Sequence, residues 1–220
     1  MKPMPYGRAN FRSIKDGIWE PLWGGRRVLI DVFGREVRIR DERGDPLDGY
    51  DLIKEILADA ALTDELVLDG YLLPAPLPDS AGADAGIGLD SLPSAGKIGR
   101  QLLMGGGGRS ARKEAQEAAK ARSTMPAASA PTAFVAVDLL WVDGESLIDV
   151  PLAERKRQLD GVLREGDEVR LTVSVRPPVA VWFAQWRALG FREAAVKSAN
   201  SRYTPGEPNQ AWATTMIPRR

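Results

Sequence analysis

Residues 26–41, RRVLIDVFGREVRIRD, alternate apolar and polar residues on both sides of a glycine-bearing turn. Successive side chains of an extended chain point to opposite faces. Val28, Ile30 and Val32 therefore share one face before the turn, and Val37 and Ile39 share one after it. This pattern predicts a β-hairpin. The preceding GIWEP reads as another strand, joined to the hairpin through the Gly24-Gly25 turn. In DLIKEILADA, Leu52, Ile53, Ile56 and Leu57 fall at helical spacing. ELVLDGYLL, residues 65–73, predicts a short strand interrupted at Asp-Gly.

A second ordered half begins at TAFVAVDLLWVDG, a nearly continuous apolar run of the kind found in strands buried on both faces. PLAERKRQLDGVL follows, with proline at a helix start and Leu152, Leu159 and Leu163 directed to the core. EVRLTVSV predicts an alternating strand, PPVAVWFAQWRALG an amphipathic helix and REAAVKSA a further strand. Strand hairpins first and interleaved helices later predict an α+β fold of largely antiparallel sheets flanked by helices.

Residues 74–131 differ in kind, being rich in Ala, Gly, Ser and Pro without a sustained strand pattern. They read as an insertion, mostly disordered, between an N-terminal part (1–73) and a C-terminal part (132–220) of one domain. Within it Lys97, Arg100, Arg109, Arg112, Lys113, Lys120 and Arg122 face only Glu114 and Glu117, and a marginal basic helix is expected after the glycines. This stretch is either a solvated linker or a nucleic-acid-binding patch. Gly105 to Gly108 do not make a phosphate loop, because neither a preceding strand nor a Gly-Lys-Ser/Thr ending is there.

Composition removes whole classes of chemistry. The 220 residues contain no cysteine and no histidine, which excludes disulfides, thiol nucleophiles, imidazole catalysis and Cys/His metal sites. Any bound metal would be a hard cation held by oxygen, such as magnesium. With 30 basic and 30 acidic side chains the formal net charge is zero, so attraction to nucleic acid must come from a local patch. No signal peptide or membrane span is evident in the sequence, and a cytoplasmic location is expected.

Four stretches, taken in order, resemble the adenylation (nucleotidyltransferase) domain of ATP-dependent DNA ligases, particularly the short bacterial repair type. They are EPLWGGRR, VLDGYLL, VDLLWVDGESLIDVPLAERKRQL and AAVKSANSRYTPG. The resemblance implies a DNA-ligase-like, ATP-grasp-like α+β fold, with ATP and magnesium as possible cofactors. It also implies a lysine nucleophile that carries AMP. The family's Lys-x-Asp-Gly-x-Arg is Leu22, Trp23, Gly24, Gly25, Arg26, Arg27 here, so the nucleophile position holds an alkyl side chain. Leu-Asp-Gly-Glu becomes Leu68, Asp69, Gly70, Tyr71, and the aromatic that would stack on adenine becomes Val137, beside Asp138. Glu-Gly-x-x-x-Lys keeps Lys197 but opens on Arg192, and the two closing lysines become Thr214 and Met216. By this resemblance the family's oligonucleotide-binding domain is not expected within these residues.

By this reading Arg27, Asp69, Asp138 and Lys197 are nucleotide- or phosphate-binding remnants, and no catalytic residue or metal ligand is assigned. Each remnant also has a plainer reading. Arg27 would pair with an acidic neighbour, Asp69 and Asp138 would serve strand-end turns, and Lys197 would be solvated. Lys15, before Asp16-Gly17, is the alternative nucleophile, although it lacks the family spacing. The expectation is a ligase-like protein that no longer self-adenylates and binds DNA or a DNA-repair protein in repair or end joining. Two alternatives are kept: an active atypical ligase or nucleotidyltransferase using a displaced lysine, and a protein-binding module without a nucleotide site.

Overall fold

The computed structural model describes residues 1–75, 77 and 130–219. A 3-10 turn (Phe11–Ser13) precedes β1 (Gly17–Pro21), the hairpin β2 (Arg26–Phe33) and β3 (Glu36–Arg40), helix α1 (Asp51–Ala60) and β4 (Glu65–Pro74). After the undescribed stretch come β5 (Thr132–Val142), β6 (Glu145–Ser146), α2 (Leu152–Val162), β7 (Val169–Leu171), α3 (Ala180–Ala188), β8 (Glu193–Ser198) and β9 (Trp212–Met216). They form a six-stranded sheet with path β3-β2-β4-β5-β6, β7 lying beside β5, and a three-stranded sheet β1-β8-β9. All pairings are antiparallel except β5 with β7.

The hairpin pairs Ile30 with Ile39 and Val32 with Val37, as its alternation predicts. Strand β5 is nearly continuously apolar, Asp138 being its one charged residue, because both its faces are covered. Phe134, Ala136 and Leu139 pack with α1 and α2 residues such as Ile53, Leu57 and Leu159. Ala133, Val135 and Val137 face the other way, against Val196 and Ala213 of the small sheet and Trp186 of α3. The two sheets thus share an apolar seam, and the charged side chains described below sit near it.

Three expectations change. The Asp69-Gly70 pair does not interrupt its strand: β4 runs unbroken and takes up register shifts against β5 there. A Cβ on Gly70 would overlap the Phe134 ring and the Val135 carbonyl, so the glycine permits close strand packing rather than a turn. EVRLTVSV yields only the three-residue β7, because the chain then crosses to the small sheet, where Trp19 and Val175 exchange backbone hydrogen bonds of 2.8 Å. Leu52 is 63% exposed, since α1 turns Ile53, Leu57 and Ala60 inward.

Most of the segment 74–131 lies outside the described residues. At its base the Ala75 N–H donates to the Pro131 carbonyl at 3.0 Å, and Pro74 pairs with Thr132, so β4 and β5 are direct neighbours. Among the described residues no helix is long and apolar enough to cross a membrane.

Candidate nucleotide site

Leu22 follows the last residue of β1 and is only partly buried, its N–H donating to the Glu193 carbonyl at 3.0 Å. Two residues earlier, on the same face of the strand, lies Glu20. In the small sheet Ile18 pairs with Lys197, which pairs in turn with Trp212, so Lys197 stands diagonal to Glu20. Lys197 is fully buried, its Nζ 2.7 Å from one Glu20 oxygen and 4.3 Å from the Trp212 ring centroid. The other Glu20 oxygen contacts the Lys156 amine of α2 and accepts from the Ser174 hydroxyl at 3.0 Å.

Two buried amines thus share one carboxylate. Beyond Glu20, no acceptor reaches either amine among the described residues. Burial alone would raise the Glu20 pKa, but Lys156 and Lys197 outweigh it and hold the carboxyl at about 2. Burial lowers the pKa of Lys156, and repulsion from Lys197 adds to the effect, against the attraction of Glu20.

Two further buried ion pairs flank this centre. On facing positions of β2 and β4, Arg27 pairs with Tyr71 and Leu29 with Asp69. Arg27 grips Asp69 with both nitrogens, Nε at 3.0 Å and Nη2 at 2.6 Å, and the Tyr203 hydroxyl donates to the same carboxylate at 2.8 Å. Although burial opposes its charge, Asp69 holds the Arg27 guanidinium well above its ordinary pKa. Asp138, directly opposite Asp69 across β4 and β5, receives a second bidentate arginine, Arg155, at 2.8 and 2.7 Å. Each of the two facing acids is thereby neutralised by its own arginine.

The segment before β1 closes over this centre. Pro5 and Gly7 hydrogen bond to Asn209 and Trp212. The Tyr6 ring lies 5.5 Å from the Arg27 guanidinium and 6.0 Å from the Lys197 amine, and 5.8 Å from the Trp212 ring. Burial raises the pKa of the Tyr6 and Tyr71 phenols. Met4 is fully buried, with its N–H donating to the Tyr203 hydroxyl at 2.8 Å.

Residues 107–214 match the family described as the ATP dependent DNA ligase domain. The fold aligns with the ligase domain of Mycobacterium tuberculosis LigD at a TM-score of 0.64 and 20% identity, over 98% of this chain and 59% of that one. The chain has the adenylation-domain fold of the ATP-dependent DNA ligases. A mycobacterial DNA ligase D complexed with ATP aligns at a TM-score of 0.61 and 21% identity, over 97% of this chain and 59% of that one. The multifunctional non-homologous end joining protein LigD of Mycolicibacterium smegmatis is 27% identical over 92% of this chain, but only 22% of its own length. DNA ligase C2 of the same organism is 28% identical over 85% of this chain and 46% of its own length. The ligase-like chain therefore spans less than half of either relative.

Within this ligase-like fold, Arg27, Asp69, Asp138 and Lys197 do converge, though not as open ligands. Asp69 and Asp138 are mid-strand partners of arginines rather than turn residues, because the paired strands leave no turn there. Lys197 is not solvated, because its strand face packs toward the seam and Glu20 satisfies its charge. Val137 is core, while Met216 is 61% exposed and Lys15 lies exposed before β1. Lys97, Arg100, Arg109, Arg112, Lys113, Lys120 and Arg122 lie outside the described residues.

The sequence reading missed Glu20, Lys156, Tyr6 and Tyr203 as members of the site. Glu20 carried a signal, since it shares a strand face with Leu22. Lys156 carried none, being one charge in the run ERKR that reads as a solvated helix face. Asp69 and Asp138 are each committed to an arginine, and among the described residues no group of three metal-ligating side chains lies together.

Proposed function

We propose that this chain is a ligase-type adenylation domain that does not form the lysyl-AMP adduct and acts as a binding or regulatory protein on DNA, in repair or end joining. The observation that carries the reading is Leu22. An alkyl side chain offers no lone pair to the α-phosphorus of ATP, so the covalent step has no nucleophile at this position. The surrounding charges support it, because Arg27, Asp69, Asp138 and Lys197 satisfy one another or nearby protein groups. Phosphoryl transfer depends on several such groups aimed at the developing charge, and groups spent on internal ion pairs are not aimed at it.

A catalytic reading has one specific observation in its favour. Lys156 is a second lysine at Glu20, and its lowered pKa raises the fraction of neutral amine. Intact-mass measurement after incubation with ATP and magnesium separates the two readings. An unchanged mass is expected. Gain of one AMP would overturn the proposal, and peptide mapping to Lys156 would establish the displaced-lysine enzyme.

A further inference from the structure

We infer that the outer surface formed by the 3-10 turn, α3 and the end of β9 binds single-stranded nucleic acid, at a place separate from the Glu20–Lys197 centre. Adjacent residues of a strand point to opposite faces, so Trp19 leaves β1 on the side turned away from Glu20. A row of rings starts there. Phe11 lies 5.9 Å from Trp19, and Phe183 of α3 lies 5.5 Å from it on a further contact. Phe183 and Trp182 lie 5.9 and 6.5 Å from the buried Trp186. Phe11, Trp182 and Phe183 keep part of their surface in solvent, and Val181 beside them is 52% exposed.

Cations frame these rings. The Arg12 guanidinium lies 5.6 Å from the Phe11 ring centroid, with exposed Lys15 one turn further along the chain. From the last turn of α3, Arg187 donates to the Pro218 carbonyl, next to Arg219. Arg12, Lys15, Arg187 and Arg219 are exposed, and among the described residues none of them makes an ion pair. The acid beside Lys15, Asp16, is held by Arg176 at 2.8 Å. In a chain whose charges cancel overall, this is a local positive surface.

Part-exposed rings among unpaired cations suit a ligand that offers flat faces and negative charge together. A single strand presents unstacked bases to the rings and phosphates to the guanidinium forks. A duplex hides its base faces within the stack, and an acidic peptide satisfies the cations but not the rings. The inference rests on the proposed function only in taking nucleic acid as the ligand. It places that ligand on the described fold, apart from the basic stretch between Lys97 and Arg122.

The test is fluorescence anisotropy of a labelled oligodeoxythymidine of about 15 nucleotides, titrated with the full chain across a salt series. A triple variant, Arg12→Gln with Lys15→Gln and Arg187→Gln, leaves Lys97 to Arg122 in place. It should flatten the slope of log affinity against log salt by about two, at about 0.7 per phosphate on a single strand. Trp182→Ala should weaken binding at least about fivefold, whereas Trp182→Phe, which keeps a ring, should stay near wild type. An unchanged slope and affinity in the triple variant, or no binding by wild type, overturns the inference. An equal loss of affinity for a duplex of the same length overturns the single-strand assignment, as does polyglutamate that competes as well as unlabelled oligonucleotide. The triple variant alters exposed side chains only, so it decides the matter even where Trp182→Ala does not fold. None of these readouts depends on an AMP adduct, so the inference and the proposed loss of self-adenylation fail separately.

Discussion

Glu20 and Lys197 meet at 2.7 Å in the core of the seam, and Lys156 reaches the other oxygen of the same carboxylate. The three groups are not equivalent. Glu20→Gln strands two buried ammonium groups and is expected to destabilise the fold by about 3–5 kcal/mol. Lys156→Met removes a desolvated amine that is repelled by Lys197, while Glu20 keeps Lys197 and Ser174. That variant is expected to be neutral or more stable by about 1 kcal/mol. Urea unfolding of the two variants tests the ranking, and equal losses would contradict it.

The same carboxylate gives the fold an acid limit. Burial would raise its pKa, but the two lysines hold it at about 2, below the ordinary 4.5. A depressed folded-state value means stability that is present in full above about pH 5 and is lost as the pH falls toward 2. Its size is about 3 kcal/mol. Unfolding midpoints measured between pH 6 and pH 2.5 should drop steeply in wild type and less steeply in Glu20→Gln.

Arg155 is a structural hub of a different type. It is fully buried, grips Asp138 with two nitrogens, and donates from Nη1 to the Val150 carbonyl at 2.6 Å and the Ser201 carbonyl at 3.2 Å. A lysine has one ammonium and cannot reproduce the fork, so Arg155→Lys is expected to cost about 2–4 kcal/mol despite conserving charge. Thermal unfolding checks this, and a loss below about 0.5 kcal/mol would show that the fork is dispensable.

Much of the scaffold was legible because it follows periodicity. The alternation of Val28, Ile30 and Val32 before the turn and Val37 and Ile39 after it led directly to the hairpin, whose register pairs Ile30 with Ile39 and Val32 with Val37. Pro151 marked the start of α2, and the nearly continuous apolar run from Thr132 marked a strand covered on both faces. The site was less legible because its charges are satisfied across long sequence separations. Glu20 meets Lys156 and Lys197, and nothing local in β1 announces either partner. Asp69-Gly70 misled for a related reason: the dipeptide is a turn signal in isolation, but Arg27 and the Phe134 ring make it the middle of a strand.

Restoring the family lysine is expected to be insufficient. In Leu22→Lys the new amine would enter a site where Arg27 is bound to Asp69, Lys197 to Glu20, and Tyr71, Thr214 and Met216 stand at the other altered family positions. Catalytic groups that act as a unit are far from additive, so one restored member returns little of the rate. No AMP adduct should be detected by intact mass, and no nick sealing. Stoichiometric adduct formation by the single variant would show that the surrounding charges still serve nucleotide transfer.

DNA binding in the proposed role is expected to draw on the basic stretch between Lys97 and Arg122, because the chain as a whole carries no net charge. Contacts between such side chains and phosphates release counterions, and the affinity should fall steeply as salt rises, with little preference for sequence. Each phosphate neutralised on duplex DNA contributes about 0.9 to the slope of log affinity against log salt. Replacing Lys97, Arg100, Arg109, Arg112, Lys113, Lys120 and Arg122 by glutamine should therefore flatten that slope by up to about six, while urea stability stays unchanged. Fluorescence anisotropy on a labelled duplex across a salt series measures the slope, and urea unfolding of the two proteins measures the stability. A slope identical in wild type and the substituted chain would assign these residues to a solvated linker and move any DNA contact elsewhere.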